Sequence, residues 1–403
     1  MRTVEEHQRV VAGLISPRPV AEVALAAADG LVLAADVVAP IPLPVFDNSA
    51  MDGYAVHAED VASAAADHPV TLVVAEDIPA GRTDELTLVP HTAHRIMTGA
   101  PVPAGATAVV PVESTDAGTA TVKISAAPQP GQNIRTAGND VAAGTTVLHA
   151  GQVLTPAALG LAAALGIAAL PVLPRLRVLV VSTGSELVAA GVALQPGQIY
   201  ESNAVMLAAA VREAGAEVVA VVTCDDDVER FSAVLDTHAG AADLIITSGG
   251  VSAGAYEVVK DAFGDSGSGG VEFVKVAMQP GMPQGAGRTA DGCAIVTLPG
   301  NPVSALVSFE VFVRAALRAA MGLPQPLRPR RHAVLSESLT SPAGKRQFRR
   351  GVYDPTDGTV ATYGPPASHH LRWLASANCL LEIGEDVTEI AAGEGVSVWD
   401  LHP

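Results

Sequence analysis

From Arg175 onward the sequence alternates short apolar runs with longer stretches of helical spacing, which restricts the middle of the chain to a mostly parallel sheet covered by helices on both faces. The runs 177–182, 217–223, 243–247, 271–276 and 294–298 are the expected strands. Helices are predicted over 202–214, started by Ser202 or Asn203 and closed by Gly215; over 227–238, started by Asp226 or Asp227; and over 302–321, with Asn301 as cap, Pro302 in the first turn and Gly322 beyond the end. In such a sheet, ligands bind beyond the carboxyl ends of the strands.

On both sides the pattern changes. Residues 4–14 and 21–28 are predicted helices, followed by a proline-rich connector at 40–44. Short Val/Thr-rich runs such as 70–75, 106–112 and 121–124 form a β-rich unit between glycine and proline turns. The Ala-rich run 156–165 returns to the character of the N-terminus, so the β-rich unit is expected to be an insertion. After Pro324-Gln325-Pro326 the strands 331–335, 348–353, 360–363, 379–383 and 396–399 fit a small β-barrel. The expected fold is therefore an α/β multidomain chain. A helical linker domain comprises 1–40 and 141–173, a β-rich domain 41–140, the α/β domain 174–324 and a C-terminal β-barrel 325–403. The Gly/Ser segment 264–270 is expected to be a mobile loop.

The 403 residues carry a formal net charge of −18, which argues against a broadly basic nucleic-acid surface. An acidic chain binds small anions through backbone N–H groups, helix N-termini, a few placed cations or a divalent metal. Cys224, Cys293 and Cys379 form no CxxC and are expected to be reduced thiols of a cytoplasmic protein. The apolar stretch 157–173 is broken by Pro171 and is expected to be a packed helix and a turn rather than a membrane span.

Each expected strand end is followed by small or acidic residues. These are Thr183-Gly184-Ser185-Glu186, Asp225-Asp226-Asp227, Ser248-Gly249-Gly250-Val251-Ser252 and Pro299-Gly300-Asn301-Pro302-Val303-Ser304. Glycine permits close backbone approach, serine supplies a hydroxyl, and the next helix aims N–H groups at the crevice. As plain turn formers and helix caps these residues need no function; their recurrence at equivalent strand ends makes them candidates. Gly250-Val251-Ser252-Ala253-Gly254 also fits a G-x-S-x-G nucleophile elbow. A serine hydrolase using Ser252 is thus a remote alternative, weakened because His332 falls in the C-terminal module and no HGGG-type loop precedes the serine. P-loop and dinucleotide motifs are absent.

Four ordered strings carry a resemblance: residues 47–54 (DNSAMDGY), 97–103 (MTGAPVP), 248–252 (SGGVS) and 298–304 (LPGNPVS). Together they resemble the molybdopterin molybdenumtransferases, the bacterial MoeA family that includes the E domain of gephyrin, over essentially the whole chain. The resemblance implies a homodimer with its active site between the α/β domain of one subunit and the β-rich unit of the other. It implies molybdenum insertion into adenylylated molybdopterin, with molybdate as substrate, Mg²⁺ as cofactor, AMP as product and the molybdopterin adenylyltransferase as a partner. Asp52, Asp140, Glu186, Asp225 and Lys260 match catalytic positions, and Glu186, Asp225 and Asp226 are the candidate metal ligands. Thr98, Thr183, Gly184, Ser248, Gly249, Gly250, Ser252, Glu257, Lys275, Pro299, Gly300, Asn301, Pro302, Ser304, Arg350 and Ser368 are the candidate substrate contacts. The chain departs from the family where Glu257 replaces an Asp, and where Gln279 and Met282 replace lysines. Each lost lysine–anion contact is worth about 1–3 kcal/mol when desolvated. Those replacements motivate the alternative of a non-catalytic molybdopterin-binding scaffold.

Overall fold

The computed structural model describes residues 1–250, 258–263 and 270–401. The expected loop 264–270 therefore lies outside the described residues, apart from Gly270. The chain divides into two compact units, Met1–Ala21 with Val172–Pro403, and Glu22–Pro171.

The first unit begins with α1 (Val4–Leu14), whose start is closed by a reciprocal capping box between Thr3 and Glu6. The second unit contains a five-stranded sheet of β1 (Gly53–Val56), β2 (Val70–Ile78), β3 (Thr92–Ile96), β4 (Ala108–Pro111) and β5 (Thr121–Ile124), in the order β4-β1-β3-β2-β5. Its core is Tyr54, Val56, Val110, Val122 and Ile124. The unit also holds α2 (Pro156–Ala164), with Thr155 as a working cap. The expected helix over 21–28 is absent. Ala21–Ala24 is a strand against Ala169–Leu173, followed by one 3₁₀ turn. Half-exposed alternation along this strand and pairing to a neighbour outweigh the helical preference of its alanines.

The α/β part of the first unit has a six-stranded sheet. Its strands are β6 (Arg177–Thr183), β7 (Glu217–Cys224), β8 (Leu244–Ser248), β9 (Gly270–Lys275), β10 (Pro283–Arg288) and β11 (Ala294–Leu298), in the order β7-β6-β8-β11-β10-β9. The first four run parallel, and β10 and β9 complete the sheet antiparallel to their neighbours. Every residue of β8 and β11 is buried, which is why these strands read as mostly apolar runs, broken only by Thr247, Ser248 and Thr297. The helices are α3 (Asn203–Glu213), α4 (Val228–Thr237), α5 (Val258–Phe263) and α6 (Pro302–Ser308), the last continuing through a π-helical turn (Phe309–Val313) into α7 (Arg314–Ala320). That wide turn was not legible in the sequence. Its Val311 carbonyl accepts a bond from Gln8 Nε2 at 3.0 Å, and its Phe312 ring meets His7 edge-on.

The C-terminal strands are β12 (Arg330–Leu335), β13 (Arg346–Asp354), β14 (Thr359–Thr362), β15 (Cys379–Ile383) and β16 (Gly395–Asp400). They pair in the cycle β13-β14-β12-β16-β15 and back to β13, so the barrel is closed. Phe348, Leu380 and Trp399 join the core of the α/β part. A buried cluster pins this junction: Arg328 bonds both carboxylate oxygens of Glu310 at 2.9 Å and reaches Glu213 at 2.7 Å.

All three cysteines are free. Burial pushes the Cys293 thiol up to about 11 and the Cys379 thiol up to about 12. Among the described residues no helix is long and apolar enough to cross a membrane; the stretch 157–173 is α2, a turn and a strand.

His7 supplies a test of how α1 is held. Burial, aided by the Arg2 guanidinium, lowers its pKa from 6.5 to about 4. Between those values the unfolded chain binds a proton that the folded chain does not. The contribution is therefore complete above pH 6.5 and lost as pH falls towards 4, amounting to at most about 3 kcal/mol. In denaturant titrations from pH 7 to pH 4, a His7→Leu variant should lose less stability than the parent; parallel curves would remove His7 from this account.

Candidate functional site

The parallel strands end in step. Ser182 of β6 lies beside Ser248 of β8, which lies beside Leu298 of β11. The bends that follow, at 183–186, 248–250 and 299–302, therefore open into one crevice of about 870 Å³. Thr183, Gly184, Glu186, Asp226, Ser248, Gly249, Gly250, Pro299, Gly300, Asn301, Pro302, Ser304 and Ser368 all line it. No Lys or Arg is among the described residues that do so.

The floor is built for close approach. Gly249 has φ +96°, and a Cβ there would stand 2.6 Å from the Thr183 carbonyl oxygen and 2.8 Å from its Oγ1. That hydroxyl is itself buried with no partner among the described residues, so its donor is unspent. Gly250 behaves differently from expectation. A Cβ on it would meet Val259 of α5 at 2.9 Å, so bulk there disturbs helix packing before it reaches a ligand.

The start of α3 corrects another expectation. Ser202 makes no side-chain cap. Instead the buried Glu201 carboxylate accepts from Ala204 N–H at 2.6 Å and from the Ser182 hydroxyl at 2.8 Å. Ser182 lies 3.0 Å from the Ser248 hydroxyl, so helix start and strand ends form one polar network. Asn203 Nδ2 donates to the Gly300 carbonyl at 2.7 Å, tying α3 to the last bend. Glu201 and Asn203 line the crevice, and the sequence patterns assigned neither to the site. Glu201 carried one usable signal, an acid just before a predicted helix.

Asn301 likewise makes no side-chain cap at α6. The Val303 N–H is met by the Ser368 carbonyl at 3.1 Å. Arg350 holds the loop that supplies it, donating to Ala367 at 3.2 Å and His370 at 3.1 Å, and to Pro365. The residue is 4% exposed, and its guanidinium is turned to these carbonyls rather than lining the crevice. Burial, then the Arg349 charge, pushes its pKa down.

Of the acidic loop, Asp226 reaches the crevice. Its carboxylate accepts from Ser185 N–H at 3.1 Å, while Ser185 Oγ accepts from Asp226 N–H at 3.0 Å. Asp225 is ion-paired with Arg230, and Asp227 caps α4. No group of three or more His, Cys, Asp or Glu among the described residues is poised for a metal. Lys260 is exposed on α5 and Lys275 ends β9; neither lines the crevice. Ser252 and Glu257 lie outside the described residues. His332, the histidine of the hydrolase alternative, lies against Gly395 in the barrel, where a Cβ would meet its Nε2 at 2.5 Å.

Asp52, Thr98 and Asp140 belong to the β-rich unit. Asp52 accepts from both the Thr98 N–H and its hydroxyl at 2.7 Å, and these bonds lower its pKa. Asp140 is exposed on a turn, where its backbone N–H donates to the Leu43 carbonyl at 2.9 Å.

The crevice predicts two distinct mutant behaviours. Gly249→Ala forces a β-carbon into the Thr183 backbone at positive φ and should lower stability by about 1–3 kcal/mol as well as weaken binding. Thr183→Val removes the orphaned hydroxyl with little change of shape. Its stability should stay near wild type while affinity for an anionic ligand falls about tenfold or more; unchanged affinity would exclude this hydroxyl from the site.

Comparison with known proteins matches these features over their full extent. Residues 2–166 match the MoeA N-terminal region (domain I and II), 179–319 a probable molybdopterin binding domain, and 332–401 the MoeA C-terminal region (domain IV). The chain is 70% identical to molybdopterin molybdenumtransferase 2 of Mycobacterium tuberculosis, covering 100% of both chains. It is 38% identical to molybdopterin molybdenumtransferase 1 of the same species, covering 99% of this chain and 98% of the relative. The crystal structure of a molybdopterin biosynthesis MoeA protein from Pyrococcus horikoshii superimposes with a TM-score of 0.78 at 30% identity, covering 100% of this chain and 99% of that one. With the whole chain aligned and the three domain types matched in order, the protein belongs to the molybdopterin molybdenumtransferase family.

Proposed function

We infer that the chain transfers molybdenum to molybdopterin: it takes the adenylylated form, water cleaves the pyrophosphate link to release AMP and molybdopterin's own phosphate, and molybdate's metal passes to the dithiolene sulfurs. The observation that carries this reading is the crevice itself. Three in-register bends present backbone and hydroxyls to one space, which three carboxylates, Glu186, Glu201 and Asp226, also line. The names of the relatives supply the reaction class.

Mg²⁺ binds through one or two carboxylates together with substrate phosphate oxygens and water. Glu186 and Asp226 fit that role because both line the crevice, whereas the Asp225 carboxylate is engaged by Arg230. When bound, the ion would offset the charge of the pyrophosphate link. Thr183 donates a hydroxyl to the anion, and the α6 start lends the positive end of its dipole. Asp52, Asp140 and Lys260 are proposed as further groups of the reaction. The chain is proposed to act as a cytoplasmic homodimer that receives its substrate from the molybdopterin adenylyltransferase.

Incubation with adenylylated molybdopterin, molybdate and Mg²⁺ tests the reading through AMP release and cofactor activity. We expect AMP from the wild type, its loss on chelation of the metal, and its loss in Asp140→Ala with an unchanged denaturation midpoint. Tight molybdopterin binding without AMP release would instead assign the non-catalytic scaffold. Labelling of Ser252 by a fluorophosphonate would assign the hydrolase.

A further inference from the structure

We propose that Tyr200 is the platform on which the planar heterocycle of the substrate stacks. Aromatic residues are scarce here, 3% of the chain, and most of the large ones are spent in cores. Tyr54, Phe231, Phe309 and Phe312 are fully buried, and Tyr363 is packed edge-on against Trp373. Tyr200 is the only Phe, Tyr or Trp among the described residues lining the crevice, and it is 44% exposed.

Its ring is also held. The phenolic O–H donates to the Val192 carbonyl at 2.8 Å. At an exposed position water is an equally good acceptor, so this bond adds little net stability. What it does is restrict the side chain, removing rotamer freedom that a ligand would otherwise have to freeze.

The surroundings supply one apolar wall. Ile199–Tyr200 pairs with Leu187–Val188, and Leu187, Ile199 and Tyr200 all line the crevice. Ile199 is 55% exposed. The floor, in contrast, is made of Thr183, Ser248 and Gly249. A ligand with an anionic part and a flat apolar part matches such a division. The anion meets the hydroxyl floor, and the ring meets the wall. Aromatic stacking of this kind tolerates any flat nitrogen heterocycle, because each presents a π-face.

This assignment rests on the proposed function, whose substrate carries a pterin and, once adenylylated, an adenine. The test measures KM and kcat for AMP release, together with equilibrium binding of molybdopterin alone and of AMP alone. The proteins are the wild type, Tyr200→Phe and Tyr200→Leu. Tyr200→Phe keeps the ring and should stay within about threefold of wild type, whereas Tyr200→Leu should raise KM about tenfold or more with kcat nearly unchanged. A matching loss for molybdopterin alone places the pterin on Tyr200; a matching loss for AMP alone places the adenine there. Equal KM in all three proteins would overturn the platform while leaving the function intact. Equal loss in Tyr200→Phe and Tyr200→Leu would also overturn it, making Tyr200 a strap for its loop. A wild type that neither binds nor turns over these compounds would remove the proposed function and this assignment with it.

Discussion

The step-for-step ending of three buried parallel strands is the constraint on which the rest of the crevice depends. Ser182, Ser248 and Leu298 stand side by side, and each strand is followed at once by a bend. Neighbouring strands lie only about 4.8 Å apart, so bends leaving at the same height must share very little space. That is why the middle one is glycine: Gly249 has the Thr183 backbone on one side and Gly300 on the other, where a Cβ on Gly300 would come within 3.5 Å of the Gly249 Cα. Close packing of the bends leaves no room for side chains between them, so a ligand entering there meets backbone and small side chains. The Ser182–Glu201 and Ser182–Ser248 contacts then fasten the start of α3 to the same seam.

What was legible in the sequence follows from how far each feature depends on neighbours in space. The buried strands were legible because a strand covered on both faces is mostly apolar, as 244–246 and 294–296 are, with only the small hydroxyl residues Thr247, Ser248 and Thr297 interrupting. The barrel strands were legible from their alternation and turns. The segment 21–28 misled because its alanines favour a helix locally, while its partner, Ala169–Leu173, lies nearly 150 residues away. The caps misled for the same reason. A serine before a helix is an ordinary cap, but Glu201 reaches further and is fixed by Ser182 on a separate strand. Asn301 was displaced by a carbonyl from the C-terminal module. The glycine bends were visible as candidates from physics alone. By contrast, Asp52, Asp140 and Lys260 were singled out only through family resemblance, because exposed acids and lysines on turns and short helices carry no periodic signal.

Charge completes the logic of the crevice. Glu186, Glu201 and Asp226 line it, no Lys or Arg among the described residues does, and Arg350 is occupied by loop carbonyls. A phosphate charge about 5 Å from a carboxylate is repelled by roughly 3 kcal/mol at an effective dielectric constant of about 20. A helix N-terminus returns only about 0.3–2 kcal/mol. Hydroxyl donors at the strand ends narrow the gap without closing it for three carboxylates. A divalent ion between the acids and the phosphate, as proposed, would convert that repulsion into attraction, with Glu186 and Asp226 as its ligands rather than repulsive walls. With no Lys or Arg among the described lining residues, such an ion would weigh more here than in a crevice ringed by cations. On this balance the acidity of the crevice supports binding of a phosphorylated substrate together with metal, and disfavours binding of the same substrate alone.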